Sequence, residues 1–209
     1  MRALVAAVLG LGILLGPWLA APARAGAPLD QLRAQIDRVL KTLDDPDLKK
    51  DARGSARRAA VRKIADDIFD FQETAKRSLA RHWQPRTPAE REEFVQLFSD
   101  LLERSYISKI ELYGGEKIVY VNDVTEGDQA LVRTRIITKG GAEVPVEYRM
   151  LKRGERWLVY DVVIEGVSLV ANYRTQFNKI IQTSSYAELV KKMKVKQDEF
   201  IEAATTKKS

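Results

Sequence analysis

The sequence predicts an α+β fold, in which helices pack on the apolar face of a curved four-stranded antiparallel sheet. Three successive patterns along the chain support this prediction. Apolar residues recur at helical spacing through residues 28–110, alternate with charged residues from 117 to 164, and return to helical spacing after Gly166. A run of strands joined by short turns, with helices before and after it, is typical of α+β domains.

Four helices are predicted ahead of the strands. The first covers 28–43, the second continues to Phe69, and a short third covers 71–79. The fourth has the clearest start, because residues 87–90 read Thr-Pro-Ala-Glu, a capping box with proline at the first helical position. Its apolar face continues to Ile110, and a pair of glycines then ends it.

Four strands follow, at 117–124, 130–138, 144–152 and 157–164. The second and third alternate apolar with charged residues, so one face of the sheet is predicted to be charged and exposed. Each turn between the strands contains glycine, as hairpin turns require. The last strand is apolar on both faces, so the prediction of its inner face rests on alternation.

The chain becomes helical again after Gly166. Ser168 is predicted to cap this helix, because its hydroxyl can accept a hydrogen bond from a free backbone amide. A final helix is predicted to begin at a second capping box, residues 185–188. No internal repeat or low-complexity linker interrupts the chain, so residues 26–209 are predicted to form a single domain.

Residues 1–25 have the features of a cleaved secretory signal peptide. A positive start at Arg2 precedes an uncharged apolar run, and Ala-Arg-Ala at 23–25 is a small-x-small cleavage site before Gly26. An uncleaved membrane anchor is the alternative, although glycines and a proline in the run disfavour a stable helix. The sequence contains no cysteine, which excludes disulfides, thiolate metal sites and a lipoprotein anchor. We therefore expect a soluble, exported protein.

The chain is basic overall. The formal net charge is +6, and loss of Arg2 and Arg24 with the signal peptide lowers it to +4. Much of the excess lies near the C-terminus, at Lys191, Lys192, Lys194, Lys196, Lys207 and Lys208. An exported protein is not expected to meet nucleic acid, so this charge favours anionic lipid surfaces or acidic protein faces as partners. A solvated helix face and a frayed tail explain the same lysines without any partner.

One serine stands where a hydrolase would carry its nucleophile. Residues 166–170 approach a nucleophile elbow in a strand-turn-helix setting, but Val170 replaces the second glycine. The only histidine, His82, precedes Ser168, whereas the hydrolase order places it after the serine. A helix cap is therefore the better interpretation of Ser168, and no enzyme activity is predicted.

Two other segments contain residue types that bind metals. Asp66 to Asp70 resembles the aspartate-rich motif that holds magnesium diphosphate in prenyl-transfer enzymes, but the second acidic motif of those enzymes is missing from this sequence. Solvated acids, with Asp70 capping the next segment, are the preferred interpretation. His82 has neither a cysteine nor a paired acidic motif beside it and is interpreted as a loop residue. No metal or cofactor is predicted.

The stretch from Trp157 to Phe177 resembles the signature of a known family. It reads Trp-Leu-Val-Tyr-Asp-Val-Val-Ile-Glu-Gly-Val-Ser-Leu-Val-Ala-Asn-Tyr-Arg-Thr-Gln-Phe. It is similar to the signature of the MlaC, or toluene-tolerance, family of periplasmic phospholipid carriers. Upstream features fit the same family in order: Phe69-Asp70-Phe71, Trp83, Phe94, Phe98, Leu101-Leu102 and Ser105-Tyr106. The resemblance covers nearly all of the chain that follows the signal peptide.

The resemblance implies a soluble periplasmic protein of a bacterium with two membranes, which is not an enzyme and uses no cofactor. It implies a bound phospholipid whose acyl chains lie between sheet and helices and whose headgroup lies near solvent. It further implies that lipid is shuttled between an outer-membrane lipoprotein complex and an inner-membrane ABC transporter with an MCE-domain subunit, which maintains outer-membrane lipid asymmetry. A monomer is expected.

Alternation and helical spacing, taken with this resemblance, predict the residues that line the lipid cavity. The sheet is expected to contribute Val132, Thr134, Ile136, Val146, Tyr148, Met150, Val159 and Val163, and the helices Phe98, Tyr106, Leu169, Tyr173 and Phe177. The alternative is a lipid-free adaptor that bridges envelope proteins through its basic helices and has a solidly packed core. Periodicity alone does not separate a filled core from a cavity.

Overall fold

The computed structural model describes residues 27–48, 54–111 and 113–206. The predicted signal peptide and the lysines at 207 and 208 lie outside these residues. The helices are α1 (Ala27–Asp44), α2 (Gly54–Ile68), α3 (Phe71–Leu79), α4 (Pro88–Glu111), α5 (Leu169–Thr183) and α6 (Tyr186–Thr206), with a 3₁₀ turn at Ala80–His82. The strands are β1 (Lys117–Glu126), β2 (Gln129–Ile137), β3 (Glu143–Arg153), β4 (Arg156–Ile164) and β5 (Val167–Ser168). Of the helices described, none is both long and apolar enough to cross a membrane.

The strands form one antiparallel sheet in chain order, from β1 to β5. The α+β class is confirmed, but the prediction of four strands is wrong, because β5 adds a fifth. Glu165 and Gly166 have positive φ angles of 51° and 81°, and this turn folds the chain back so that Ser168 pairs with Val163. A positive φ is uncommon for glutamate. The sequence pattern therefore gives no sign of this tight turn, and the predicted sheet stops before Gly166 without the fifth strand.

The helix starts predicted from the sequence are confirmed. The amide of Thr87 donates to Glu90 Oε2 over 2.7 Å, and the amide of Glu90 donates to Thr87 Oγ1 over 3.2 Å, which completes the capping box. The hydrogen bond from the Thr87 amide lowers the pKa of the Glu90 carboxyl. Ser168 Oγ accepts from the amide of Ala171 at 3.0 Å, and Ser185 caps α6 in the same way.

Two apolar cores hold these elements together. The helical core lies among α3, α4, α5 and α6, and its most enclosed side chains are Ala75, Leu79, Phe94, Phe98 and Leu189. The sheet core lies between the first two helices and one face of the sheet, and consists of Leu29, Leu32, Ile64, Ile68, Ala130, Val132, Met150, Trp157 and Val159. Each buried Leu or Phe stabilises the fold by about 1.5–3 kcal/mol. Helices of both groups contact β4, so this strand joins the two cores.

A β-bulge in β4 changes which residues share a face of the sheet. The register with β3 shifts after the pair formed by Met150 and Val159, and Tyr160 is the extra residue. Beyond the bulge, Val163 pairs with Glu147. Strict alternation places Val159 and Val163 on one face, whereas the bulge places them on opposite faces.

Ala80 follows α3 in a backbone conformation that disfavours any side chain. It is exposed and has φ 49° and ψ −121°, while its amide still donates to the carbonyl of Lys76. We expect Ala80→Gly to raise the free energy of unfolding by about 1 kcal/mol, because glycine removes the Cβ clash. Urea denaturation followed by circular dichroism measures the change. Ala59→Gly, at an exposed position within α2, is the matched control and should lower stability by about 1 kcal/mol; a loss of that size at Ala80 would contradict the assigned strain.

Candidate functional site

One face of the sheet, here called the outer face, carries a row of charge pairs, as predicted. Arg133 pairs with Glu147 at 3.1 Å, and Arg135 pairs with Glu143 at 2.9 Å, across β2 and β3. All four side chains are at least a third exposed, so each pair contributes less than about 1 kcal/mol. Val124, on the edge strand β1, is 53% exposed. Over β1, β2 and β3, the outer face is therefore a solvent-facing surface.

The opposite, inner face of the sheet is apolar, and α1 and α2 cover part of it. Val132, Met150 and Val159, three of the predicted lining residues, are at most 1% exposed and belong to the sheet core. A pocket of about 230 Å³ remains there, with Leu32 and Trp157 among its lining residues. It is smaller than the roughly 300–1,000 Å³ of usual ligand sites. This part of the inner face is therefore mostly filled by protein.

The inner face continues beyond the sheet core into a second apolar area, here called the uncovered patch. It consists of four half-buried side chains: Ile118, Ile136, Val144 and Ile164. They lie side by side, since Ile136 pairs with both Ile118 and Val144, while Ile164 pairs with Val146. None of these four residues belongs to either of the two apolar cores found among the described residues. The four side chains are aliphatic and only half-buried, so this patch is a candidate surface for an apolar ligand.

Thr134 and Val146 lie between the uncovered patch and the sheet core and are 2% and 3% exposed. Two tyrosines share this boundary, because Tyr120 pairs with Thr134 and Tyr148 pairs with Val132. Burial raises the pKa of Tyr148 to about 12 and also raises that of Tyr120. Both phenols are therefore neutral hydrogen-bond donors at neutral pH.

The Tyr120 hydroxyl is enclosed and makes no hydrogen bond within the described part of the chain. A buried hydroxyl without a partner costs about 1–3 kcal/mol. The guanidinium of Arg33 lies 4.6 Å from the Tyr120 ring centroid and covers the face of the ring. A ligand oxygen that reached this hydroxyl would remove that cost.

The predicted helical residues fall into two groups. Phe98, Tyr173 and Phe177 pack on one another in the helical core, with ring centroids 5.0–5.5 Å apart. Tyr106 and Leu169 are half-buried instead. Burial raises the pKa of Tyr106, and the nearby phenol of Tyr173 adds to this effect. The structure therefore brings the three rings together as a packed cluster, with Tyr106 at its side.

Among the predicted lining residues of the sheet, Val163 is the one that the structure places on the opposite face from the rest. The bulge turns it to the outer side, where it lies opposite Glu147 and is buried beside Ser168 of β5. Val162 and Ile164 occupy the inner face in its place. Sequence reasoning missed these two residues, because β4 is apolar on both faces and no residue type marks the bulge.

The residues considered for catalysis have structural contacts. Ser168 Oγ donates to Asp161 Oδ2 at 2.6 Å and accepts from an amide of α5. His82 Nε2 lies 3.0 Å from Asn178 Oδ1 and is bonded there. A nucleophile needs a histidine within hydrogen-bond reach, which these contacts do not provide. Ser168 therefore has the contacts of a helix cap.

The acidic segment at 66–70 also has structural contacts. Asp70 caps α3 by accepting from the amide of Glu73 at 2.9 Å and pairs with Arg153 at 2.9 Å. Asp67 pairs with Arg38 at 3.2 Å. Across the described residues, no three acidic, histidine or cysteine side chains come together as metal ligands. The capping role predicted for Asp70 is confirmed.

The sequence matches the profile of one known protein family. The sequence profile described as "MlaC protein" matches residues 33–195, well over half of the chain. The chain belongs to the MlaC family. The resemblance predicted from the Trp157–Phe177 signature is therefore confirmed.

Individual relatives within or near the MlaC family are distant in sequence. The chain is 24% identical over 141 residues to the intermembrane phospholipid transport system binding protein MlaC of Haemophilus influenzae, covering 65% of this chain and 66% of that protein, just under two thirds of its length. It is 23% identical to the toluene tolerance protein ttg2D of Pseudomonas putida, covering 83% of this chain and 81% of that one.

A solved structure extends the likeness to three dimensions. The phospholipid-binding protein of Ralstonia solanacearum, determined in complex with a phospholipid, matches with a TM-score of 0.71 and 25% identity. The match covers 82% of this chain and 97% of that chain. The MlaC fold described above is therefore shared with a protein that was captured with lipid.

Proposed function

We propose that this chain is a periplasmic phospholipid carrier. It takes up one phospholipid, shields the acyl chains from water, and moves lipid between an outer-membrane lipoprotein complex and an inner-membrane ABC transporter that bears an MCE-domain subunit. It acts as a monomer, uses no cofactor and catalyses no reaction. Residues 1–25 form the signal peptide that directs it to the periplasm.

The strongest support is the likeness to the Ralstonia solanacearum protein, which was determined with phospholipid bound. That likeness covers 97% of the lipid-binding chain, so nearly all of the fold that holds the lipid has a counterpart here. The two names among the relatives, a phospholipid transport binding protein and a toluene tolerance protein, are consistent with the same role.

The uncovered patch is the part of the structure that best fits an acyl chain. Ile118, Ile136, Val144 and Ile164 form a continuous apolar surface that neither core covers among the described residues. Acyl chains need burial rather than directional contacts, which an aliphatic surface supplies. The Tyr120 hydroxyl, which needs a partner, can donate to an ester or phosphate oxygen of the same lipid.

The physical chemistry of the cargo explains why a carrier is needed. Two acyl chains contain on the order of 30 methylene groups, and their exposure to water costs roughly 25 kcal/mol at about 0.8 kcal/mol each. Unassisted crossing of an aqueous gap is therefore negligible. Release from the carrier also needs a partner that offers an apolar path or favours a different conformation.

Lipid extraction followed by mass spectrometry tests the proposal directly. We expect the mature chain, exported to a bacterial periplasm and purified without detergent, to carry about one phospholipid per molecule, since the bound lipid is shielded from water. Native mass spectrometry should show the corresponding mass increase, and denaturation should remove it.

The same experiment separates the carrier from the lipid-free adaptor. A delipidated sample incubated with phospholipid vesicles should regain the ligand, because burial of the acyl chains favours rebinding. A chain that neither co-purifies with phospholipid nor takes it up from vesicles would contradict the carrier and favour the adaptor.

A further inference from the structure

A second pocket lies among the helices, outside the inner face of the sheet. It has a volume of about 440 Å³ and is open to solvent. Its lining residues come from the end of α3, the 3₁₀ turn and α5: Leu79, Ala80, Arg81, His82, Arg174, Thr175, Asn178 and Gln182. A water molecule occupies about 30 Å³, so the pocket has room for a phosphate-sized group together with several waters.

The two arginines of this pocket have no carboxylate partner among the described residues. Arg81 Nη2 donates to the neutral amide oxygen of Asn178 at 2.8 Å, and Arg174 Nε donates to the carbonyl of Arg77 at 3.0 Å. By contrast, at least nine other arginines of the described chain pair with a carboxylate. The pocket therefore holds two positive charges without an acidic counterpart, which favours an anionic ligand.

A hydrogen-bond chain orients the polar groups of the pocket. Asn178 Nδ2 donates to Gln182 Oε1 at 3.0 Å, which turns the Asn178 amide oxygen towards Arg81 Nη2 and His82 Nε2, at 2.8 and 3.0 Å. Arg174 uses its Nε on a backbone carbonyl. The Arg174 Nη groups and a second Arg81 Nη group therefore remain as donors for a ligand.

The backbone at the edge of the pocket is strained. Ala80, with φ 49° and ψ −121°, ends α3 and starts the 3₁₀ turn that carries Arg81 and His82 into the pocket lining. Residues in such sparsely populated conformations are concentrated at binding sites, where the surrounding structure holds them. Here the contacts of Arg81 and His82 with Asn178 hold the strained turn beside α5.

We propose that this pocket binds a phosphate oxyanion, either the phosphodiester of a phospholipid headgroup or free phosphate. Arginine presents a planar fork of N–H donors that matches two oxygens of one phosphate. The lining residues include no acid, so a cation would meet only repulsion from Arg81 and Arg174. The pocket lies apart from the uncovered patch. A variant that loses phosphate binding at the pocket can therefore still bind phospholipid on the patch, and the reverse also holds.

His82 is the only histidine in the chain, so its imidazole gives an unambiguous NMR signal. We expect the His82 ring resonances to shift saturably when inorganic phosphate is added to the full mature chain at constant ionic strength. Arg81→Gln and Arg174→Gln should each weaken this binding about tenfold or more, since each removes a charge-assisted hydrogen bond. Lys179→Gln, which removes one positive charge from α5 outside the pocket lining, is the matched control and should bind as the parent does.

Glycerophosphoethanolamine, a soluble phospholipid headgroup, distinguishes the two sources of phosphate. A saturable shift with this probe assigns the pocket to a headgroup, and a shift with inorganic phosphate alone assigns it to free phosphate. The proposal is overturned when neither probe shifts His82 more than sodium chloride does at equal ionic strength. It is also overturned when both arginine variants titrate like Lys179→Gln. Lipid co-purification with the arginine variants reports separately on the carrier function.

Discussion

Asp161→Asn should lower the free energy of unfolding by about 3 kcal/mol, because Asp161 is a buried carboxylate with three donors. Its side chain is 2% exposed. Oδ1 accepts from the amide of Val170 at 3.0 Å, and Oδ2 accepts from Ser168 Oγ at 2.6 Å and Arg149 Nη1 at 3.1 Å. These bonds tie β4 to the first turn of α5, where negative charge is also favoured by the helix dipole. Asparagine cannot accept both bonds now made to Oδ2, and each hydrogen bond to a charged group is worth about 1.5 kcal/mol or more.

Urea denaturation followed by circular dichroism measures this loss. Glu147→Gln is the matched control, because it neutralises another carboxylate of the same sheet. Glu147 and its partner Arg133 are both at least a third exposed, so this substitution should cost less than about 1 kcal/mol. Ser168→Ala removes one of the three donors and the α5 cap, so we expect a loss of about 1–2 kcal/mol in a chain that still folds. A cost below about 1 kcal/mol for both Asp161→Asn and Ser168→Ala would contradict the anchoring role.

Ile136→Trp should reduce phospholipid affinity by more than about a hundredfold. The indole would occupy the uncovered patch next to Ile118 and Val144, the neighbours of Ile136 on adjacent strands. Displacing about four methylenes of an acyl chain costs roughly 3 kcal/mol at about 0.8 kcal/mol each, which corresponds to more than a hundredfold in affinity. The change is measured as the ratio of bound phospholipid to protein after each variant has been incubated with an excess of phospholipid vesicles.

The same substitution on the outer face provides the control for this prediction. Val124→Trp places an indole at a 53% exposed position of the same sheet, so lipid content should equal that of the parent chain. Ile164→Trp, at the other end of the uncovered patch, should act like Ile136→Trp. Circular dichroism confirms that each variant is folded. Equal lipid content in all three variants would mean that the acyl chains lie elsewhere.

Local sequence signals predicted most of the secondary structure. The capping box at residues 87–90 starts α4, and Ser168 caps α5, because a cap is made by side chains within three positions of the amides they satisfy. Alternation located the second and third strands to within one residue at each end. The fifth strand was not predictable, since it depends on a positive φ at Glu165.

The inner face of the sheet could be predicted only up to the bulge at Tyr160. Val132, Thr134 and Val146 lie where alternation places them. Val163 does not, because the extra residue reverses the alternation. The coverage of the inner face by α1 and α2 was also beyond prediction, since it depends on contacts between segments about 100 residues apart.

By itself, the sequence determined the α+β class, the helix starts, the charged outer face and the membership of the MlaC family. Each of these depends on residue types within a few positions or on a contiguous signature. The tertiary structure decided that Asp161 is buried beneath the start of α5, that a patch of the inner face lies outside both cores, and that Arg81 meets Asn178 across 97 positions of sequence. Such contacts form only when distant segments pack, so burial and charge pairing at these sites are properties of the folded chain.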